Sequence, residues 1–75
     1  MTQIERIISE IFGIDEDRIN GDLRRNVDPE WDSFNHLLLI SQLESELGIT
    51  FTMAEVESIT CYEELLGAIG KRGIQ

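Results

Sequence analysis

The segment from Ser33 to Leu47 is the longest helix this chain can form, and it limits what every other segment can do. Asp32 stands in front of it and Gly48 behind it. An aspartate at the N-cap accepts backbone N–H bonds from the first turn and complements the positive end of the dipole. A glycine just past the last turn takes the left-handed conformation at little cost. At about 100° per residue, Leu39, Ile40, Leu43 and Leu47 fall on one face, which must be the core. His36 falls on the core side of the first turn, where a packed histidine is expected rather than a catalytic one. Nearly opposite lie Phe34, Leu38, Ser41 and Ser45, flanked by Leu37 and Glu44. Two large apolar side chains on an otherwise small, polar face, one turn beyond an exposed serine, suit a docking surface.

The rest of the chain supplies partners for that core face. Ile4, Ile7, Ile8, Ile11 and Phe12 form an apolar stripe on a first helix over 2–12, opened by a Thr2–Glu5 capping box and ended by Gly13. A long connection follows, with Asn20-Gly21 as a turn and Pro29 blocking helix near its end. A short helical turn fits Asp15 to Arg18. Ile14, Ile19, Leu23 and Val27 are spaced to pin the connection to the core, and Trp31 is expected to anchor it with its indole N–H at the surface.

After Gly48, Ile49-Thr50-Phe51 reads as an extended linker that buries Ile49 and Phe51. Thr52–Glu55 then opens a short helix over 53–58, and Thr60–Glu63 opens a last one over 60–70 with a stripe of Tyr62, Leu65, Leu66 and Ile69. Lys71 and Arg72 lie at its negative end, before Gly73. The prediction is a single all-α domain over 1–75, a small four-helix bundle with a long loop between helices 1 and 2 and a short helix 3. At this length a chain buries roughly 60% of its unfolded surface, which leaves little room for an enzymatic cavity.

Charge restricts the partners. Fifteen acidic against six basic residues give a net charge of −9. Between Arg25 and Lys71 there is no Lys or Arg, while Asp28, Glu30, Asp32, Glu44, Glu46, Glu55, Glu57, Glu63 and Glu64 all fall there. Phosphate contacts need cations, so nucleic acid and anionic membrane are poor partners, and a basic protein patch is the natural one. Cys61 is the single cysteine, which excludes a disulfide framework and fits a small core residue in a reducing, cytoplasmic compartment. The first residues lack a basic n-region, and no segment has the length of a membrane span, so neither leader nor anchor is expected.

No catalytic constellation emerges. Ser33 lacks the glycine pattern of a nucleophile elbow and has no evident base. Asp15-Glu16-Asp17 lacks the spacing of a calcium loop, and no metal-ligand set is present.

Asp32-Ser33-Phe34, followed by Leu37-x-Leu39-Ile40-x-x-Leu43-Glu44-x-Glu46-Leu47-Gly48-Ile49, resembles the attachment motif and acidic second helix of the acyl carrier proteins. The likeness extends over nearly the whole chain. It implies that Ser33 carries a 4′-phosphopantetheine arm, transferred from coenzyme A by a phosphopantetheinyl transferase, and that Asp32 serves both as cap and in recognition. The arm would hold acyl groups as thioesters for enzymes of fatty-acid, polyketide or other specialised biosynthesis. Phe34, Leu37, Leu38, Ser41, Glu44 and Ser45, with Glu55 and Glu57 from the third helix, would dock acyl-activating or acyl-transferring enzymes bearing basic patches, and an acyl chain would enter a cleft between helices two and three. The carrier itself would be a monomer and not an enzyme.

Phe34 stands where the family usually has Leu, Leu38 and Ser45 stand where it commonly has acidic residues, and Trp31 replaces a small residue. These departures imply more apolar docking and a pathway-specific member. An aminoacyl or peptidyl carrier of the same fold, or an unmodified helical adaptor, are the alternatives.

The excess negative charge sets a first expectation. Self-repulsion destabilises a compact acidic chain and is screened by salt, so added salt or divalent cations should raise the thermal midpoint. A midpoint that stays flat from low to high salt would contradict this.

Overall fold

In the computed structural model, which describes residues 3–71, the chain folds into four helices with no strand element among those residues. They are α1 (Gln3–Phe12), α2 (Ser33–Leu47), α3 (Met53–Ser58) and α4 (Tyr62–Gly70), with a 3-10 turn at Glu16–Arg18 in the long connection. The all-α bundle expected from the sequence is the observed fold. Thr2, Arg72 and Gly73 lie outside the described residues, and with them half of the first capping box and part of the last helix's basic end.

α1 buries Ile4, Ile7, Ile8 and Phe12 against α2, whose own inward residues are His36, Leu39, Ile40 and Leu43. Both helices end as their glycines require. Gly13 and Gly48 have φ of 66° and 67°, a left-handed conformation that only glycine adopts without penalty. Ser9 closes the first of these ends, its hydroxyl donating to the Ile14 carbonyl at 2.6 Å. Leu47 and Ile49 are only partly buried at the edge of the core, whereas Phe51 is buried. The linker that carries Phe51 is fixed from α2, because the Glu44 carboxylate accepts its N–H at 2.8 Å.

The long connection is pinned by Ile14, Ile19, Leu23 and Trp31, all buried. Its Asn20-Gly21 turn is present, with the Asn20 side chain accepting the Asp22 N–H. Val27 departs from expectation and is 72% exposed. The reason is local geometry. The Asp28 N–H donates to the Arg24 carbonyl, the Asp28 carboxylate accepts the Arg24 N–H, and Asn26 turns left-handed at φ 65°. That tight turn puts Val27 at its tip, and Trp31 fills the core space instead.

Trp31 is itself a correction. It is completely buried, in ring contact with Phe12 at 5.4 Å, and its indole N–H is satisfied inside the protein by Nδ1 of His36 at 3.0 Å rather than by solvent.

The other departure lies at the start of α4. The helix begins at Tyr62, not Thr60, and Cys61 is a buried N-cap whose side chain makes no capping bond. Residues 60–62 are drawn out because they pair with the connection: Arg25 N–H donates to the Thr60 carbonyl at 2.8 Å, and Tyr62 N–H to the Leu23 carbonyl at 3.1 Å. Backbone pairing therefore keeps Cys61 extended. The expected Thr60–Glu63 box becomes a Thr60–Glu64 contact, with both the Thr60 N–H and hydroxyl donating to the Glu64 carboxylate. Those bonds hold the Glu64 carboxyl below its ordinary range.

Candidate functional site

The mouth of α2 is built by its own cap and by the end of the long connection. Asp32 is extended, with φ −92° and ψ −179°, and its carboxylate accepts the Asn35 N–H at 2.8 Å. The cap thus comes from Asp32, and Ser33, the first helical residue, is exposed and free of that duty. The neighbouring Asn35 side chain reaches back and donates to the Glu30 carbonyl at 2.8 Å. Sequence reasoning gave Asn35 no role, yet it ties the first turn of α2 to the residues before it.

Glu30 is held in turn by Arg18, whose two terminal nitrogens lie 2.9 and 3.2 Å from its two carboxylate oxygens. A bidentate fork of this kind is the strongest form of exposed ion pair. The hydrogen bond from Arg18 holds the Glu30 carboxyl below its usual range. Trp31 N–H donates to the Asp28 carbonyl, and the Trp31 carbonyl accepts the Asn26 N–H. Every residue from Asp28 to Asp32 except Pro29 is therefore engaged in a bond that fixes the approach to Ser33.

Beneath the serine sits His36, buried and bonded through both ring nitrogens: Nδ1 to the Trp31 indole, and Nε2 to the Val56 carbonyl of α3 at 2.7 Å. The imidazole is the only one in the chain, so no free histidine stands ready to act as a base toward Ser33. What the site offers chemically is an exposed hydroxyl at the positive end of a helix of 15 residues. That end favours an oxyanion such as a phosphate ester. Ser33 and its surroundings fit a phosphate-linked arm.

The residues proposed for docking divide into two groups. Phe34, Leu37 and Leu38 are 69%, 60% and 43% exposed, and Ser41 and Ser45 are exposed on the same helix. Glu44 and Glu55 are half-buried with structural duties, Glu44 holding Phe51 and Glu55 closing the α3 capping box. Glu57 is exposed, while its backbone carbonyl accepts from Arg25. Three further apolar residues are exposed: Val27 and Leu66, which the sequence placed among the inward residues, and Met53, which it did not single out. The first helical position of α3, where Met53 sits, is a place where an apolar side chain has little to pack on, and that signal was available. An open groove of about 240 Å³ runs between α3 and α4 over Ile59, Gly67 and Ala68, and none of the residues lining it belongs to α2, where the expected cleft would have its other wall.

A family model described as a phosphopantetheine attachment site matches residues 2–69. The chain belongs to that family, whose members carry covalent 4′-phosphopantetheine placed by a phosphopantetheinyl transferase and present it to enzymes. No curated protein and no solved structure matches the chain. No helix among the described residues is long and apolar enough to cross a membrane.

The cap gives a direct expectation for stability. Asp32→Ala should destabilise the protein by about 0.5–2 kcal/mol in urea unfolding, whereas Asp32→Asn, which keeps the acceptor, should stay near the parent. Equal losses in both variants would show that Asp32 acts by charge and not as a cap.

Proposed function

We propose that Ser33 is the attachment point of the 4′-phosphopantetheine arm and that the protein is an acyl carrier. The observation that carries this is the exposed Ser33 at the first position of α2, capped by Asp32, within the matched family span. In the transfer, the Ser33 oxygen bonds to the phosphorus of coenzyme A that bears the pantetheine, and the adenosine 3′,5′-bisphosphate leaves. The hydroxyl proton goes to a base of the transferase, because His36 is fully engaged elsewhere. The bound arm supplies a thiol that holds acyl groups as thioesters. The chain's own residues place and orient its root: Asp32 through the cap, Asn35 through Glu30, and Arg18 through its fork on Glu30.

Partner choice follows from the surface of α2. Phe34, Leu37 and Leu38 give α2 an exposed apolar face, and no Lys or Arg occurs anywhere in residues 26–70. Ser41, Ser45 and the carboxylates of Glu44, Glu55 and Glu57 complete it. The matching enzymes carry apolar pockets rimmed by basic residues, so association is steered by charge and held by apolar contact. Leu38 and Ser45 reduce the share carried by charge. This suits a carrier dedicated to one biosynthetic pathway, acting as a cytoplasmic monomer.

Incubation with coenzyme A and a transferase of broad specificity tests the assignment by intact mass. One phosphopantetheine should be gained by the parent and none by Ser33→Ala. No gain in the parent, under conditions that modify a control carrier, would contradict the proposal.

A further inference from the structure

Val27 is 72% exposed and belongs neither to the core nor to the half-buried residues packed on it. A loose loop exposes apolar residues by chance, but this turn is held at each residue flanking the valine. Asp28 N–H donates to the Arg24 carbonyl at 3.1 Å, and the Asp28 carboxylate accepts the Arg24 N–H at 2.8 Å and lies 3.7 Å from Arg18. Arg25 is fastened to residues 56–60, its N–H donating to the Thr60 carbonyl and its guanidinium to the Val56 and Glu57 carbonyls. Asn26 is left-handed, with φ 65°, and donates to the Trp31 carbonyl at 2.7 Å. Turning Val27 inward would undo those bonds.

Nothing in folding asks for a valine at that place. The bonds that close the turn come from the backbone and from Asp28, and a turn tip favours Gly, Asn, Asp or Ser. A branched apolar side chain there gains no burial and leaves its surface in water.

The turn is also tied to the mouth of α2. Through the bond from Asn26 to Trp31, covalent geometry keeps the Cα atoms of Val27 and Ser33 no more than about 16 Å apart. A standard protein interface covers about 800 Å² of each partner, a disc of about 16 Å radius. Ser33 is exposed, and an enzyme that closes over it with such a footprint reaches the tip of the turn. Arg24 is exposed in the same turn, so a basic patch fits poorly here and an uncharged apolar hollow fits well.

We propose that Val27 is a recognition contact for the phosphopantetheinyl transferase, seated in an apolar hollow of that enzyme while its reactive groups engage Ser33. The contact rests on Ser33 being the attachment point. It differs in kind from attraction to the acidic surface of α2. Charge steers encounter and is screened by salt, whereas an apolar contact holds the complex and is not screened. Val27 is in place before and during transfer alike, so it lowers KM and leaves kcat unchanged.

The chain has two valines, Val27 and Val56, so methyl NMR resolves the tip directly. Ser33→Ala can bind the transferase without reacting. With coenzyme A and a transferase of broad specificity above the parent's KM, its Val27 methyl signals should shift or broaden. In steady-state transfer, Val27→Thr keeps the shape and branching of valine and should raise KM by about fourfold, the effect of losing one buried methyl group. Val27→Ala should raise it by up to about fifteenfold, and Val27→Ile should match the parent. Values of kcat and the thermal midpoint should stay near the parent throughout. The ratio of Val27→Thr to parent KM should be the same at low and high salt.

Val27 methyl signals unmoved in the complex, or equal KM for the parent and Val27→Thr, would overturn the contact and leave the assignment of Ser33 standing. A Val27→Thr effect that disappears at high salt would overturn it as well, since the contact would then be electrostatic. A parent that takes up no arm would fail the Ser33 assignment and this contact with it.

Discussion

A single imidazole joins three elements of this protein. It belongs to α2, accepts from a tryptophan at the end of the long connection, and donates to α3. Burying a histidine and an indole N–H without partners would cost each the desolvation of a polar group. Here each satisfies the other, and no buried side-chain nitrogen or oxygen among the described residues lacks a partner. Trp31 then fills the space between Phe12 and His36 as the bulkiest member of the core. The connection, the mouth of α2 and the short helix all depend on that arrangement.

Ser33, the proposed attachment point, lies one turn before His36 on α2. Arg18, Glu30, Asn35 and Asp32 form a chain of polar contacts on the outside, while Trp31 and His36 form one on the inside, and Ser33 projects between them into solvent. A residue that receives a flexible arm has no need of a pocket. It needs a fixed root and room for a transferase and successive enzymes to approach. On the proposed reading, the exposed apolar residues of α2, set in a region with no cation in the sequence from Asn26 to Gly70, would provide the approach surface without compromising the core face of the same helix.

Much of this was legible in the residues because it is local. The bounds of α2 follow from Asp32 and Gly48, the Thr52–Glu55 box opens α3 where it was placed, and the apolar stripe of α1 is the one that is buried. What escaped was set by pairing between distant segments or by turn geometry that hydropathy does not register. Pairing of residues 23–25 with 60–62 delays the start of α4 and moves the partner of Thr60 to Glu64. The turn at Asn26 expels Val27, which hydropathy alone places inside. Trp31 and His36 are five residues apart, a spacing that neither a helical nor an extended period brings together. Only the change from loop to helix at Asp32 does so. An exposed serine behind a capping aspartate at the mouth of α2 was legible for a different reason, since it is itself a local pattern.

The arrangement makes a definite statement about where one proton resides. Nitrogen-15 NMR of the His36 ring at neutral pH reads it directly. A neutral ring with the proton on Nε2 and a bare Nδ1 is the result the account predicts, since Trp31 can only donate to Nδ1. A ring protonated on Nδ1, or carrying both protons at that pH, would contradict it, because the bond from Trp31 could not then exist.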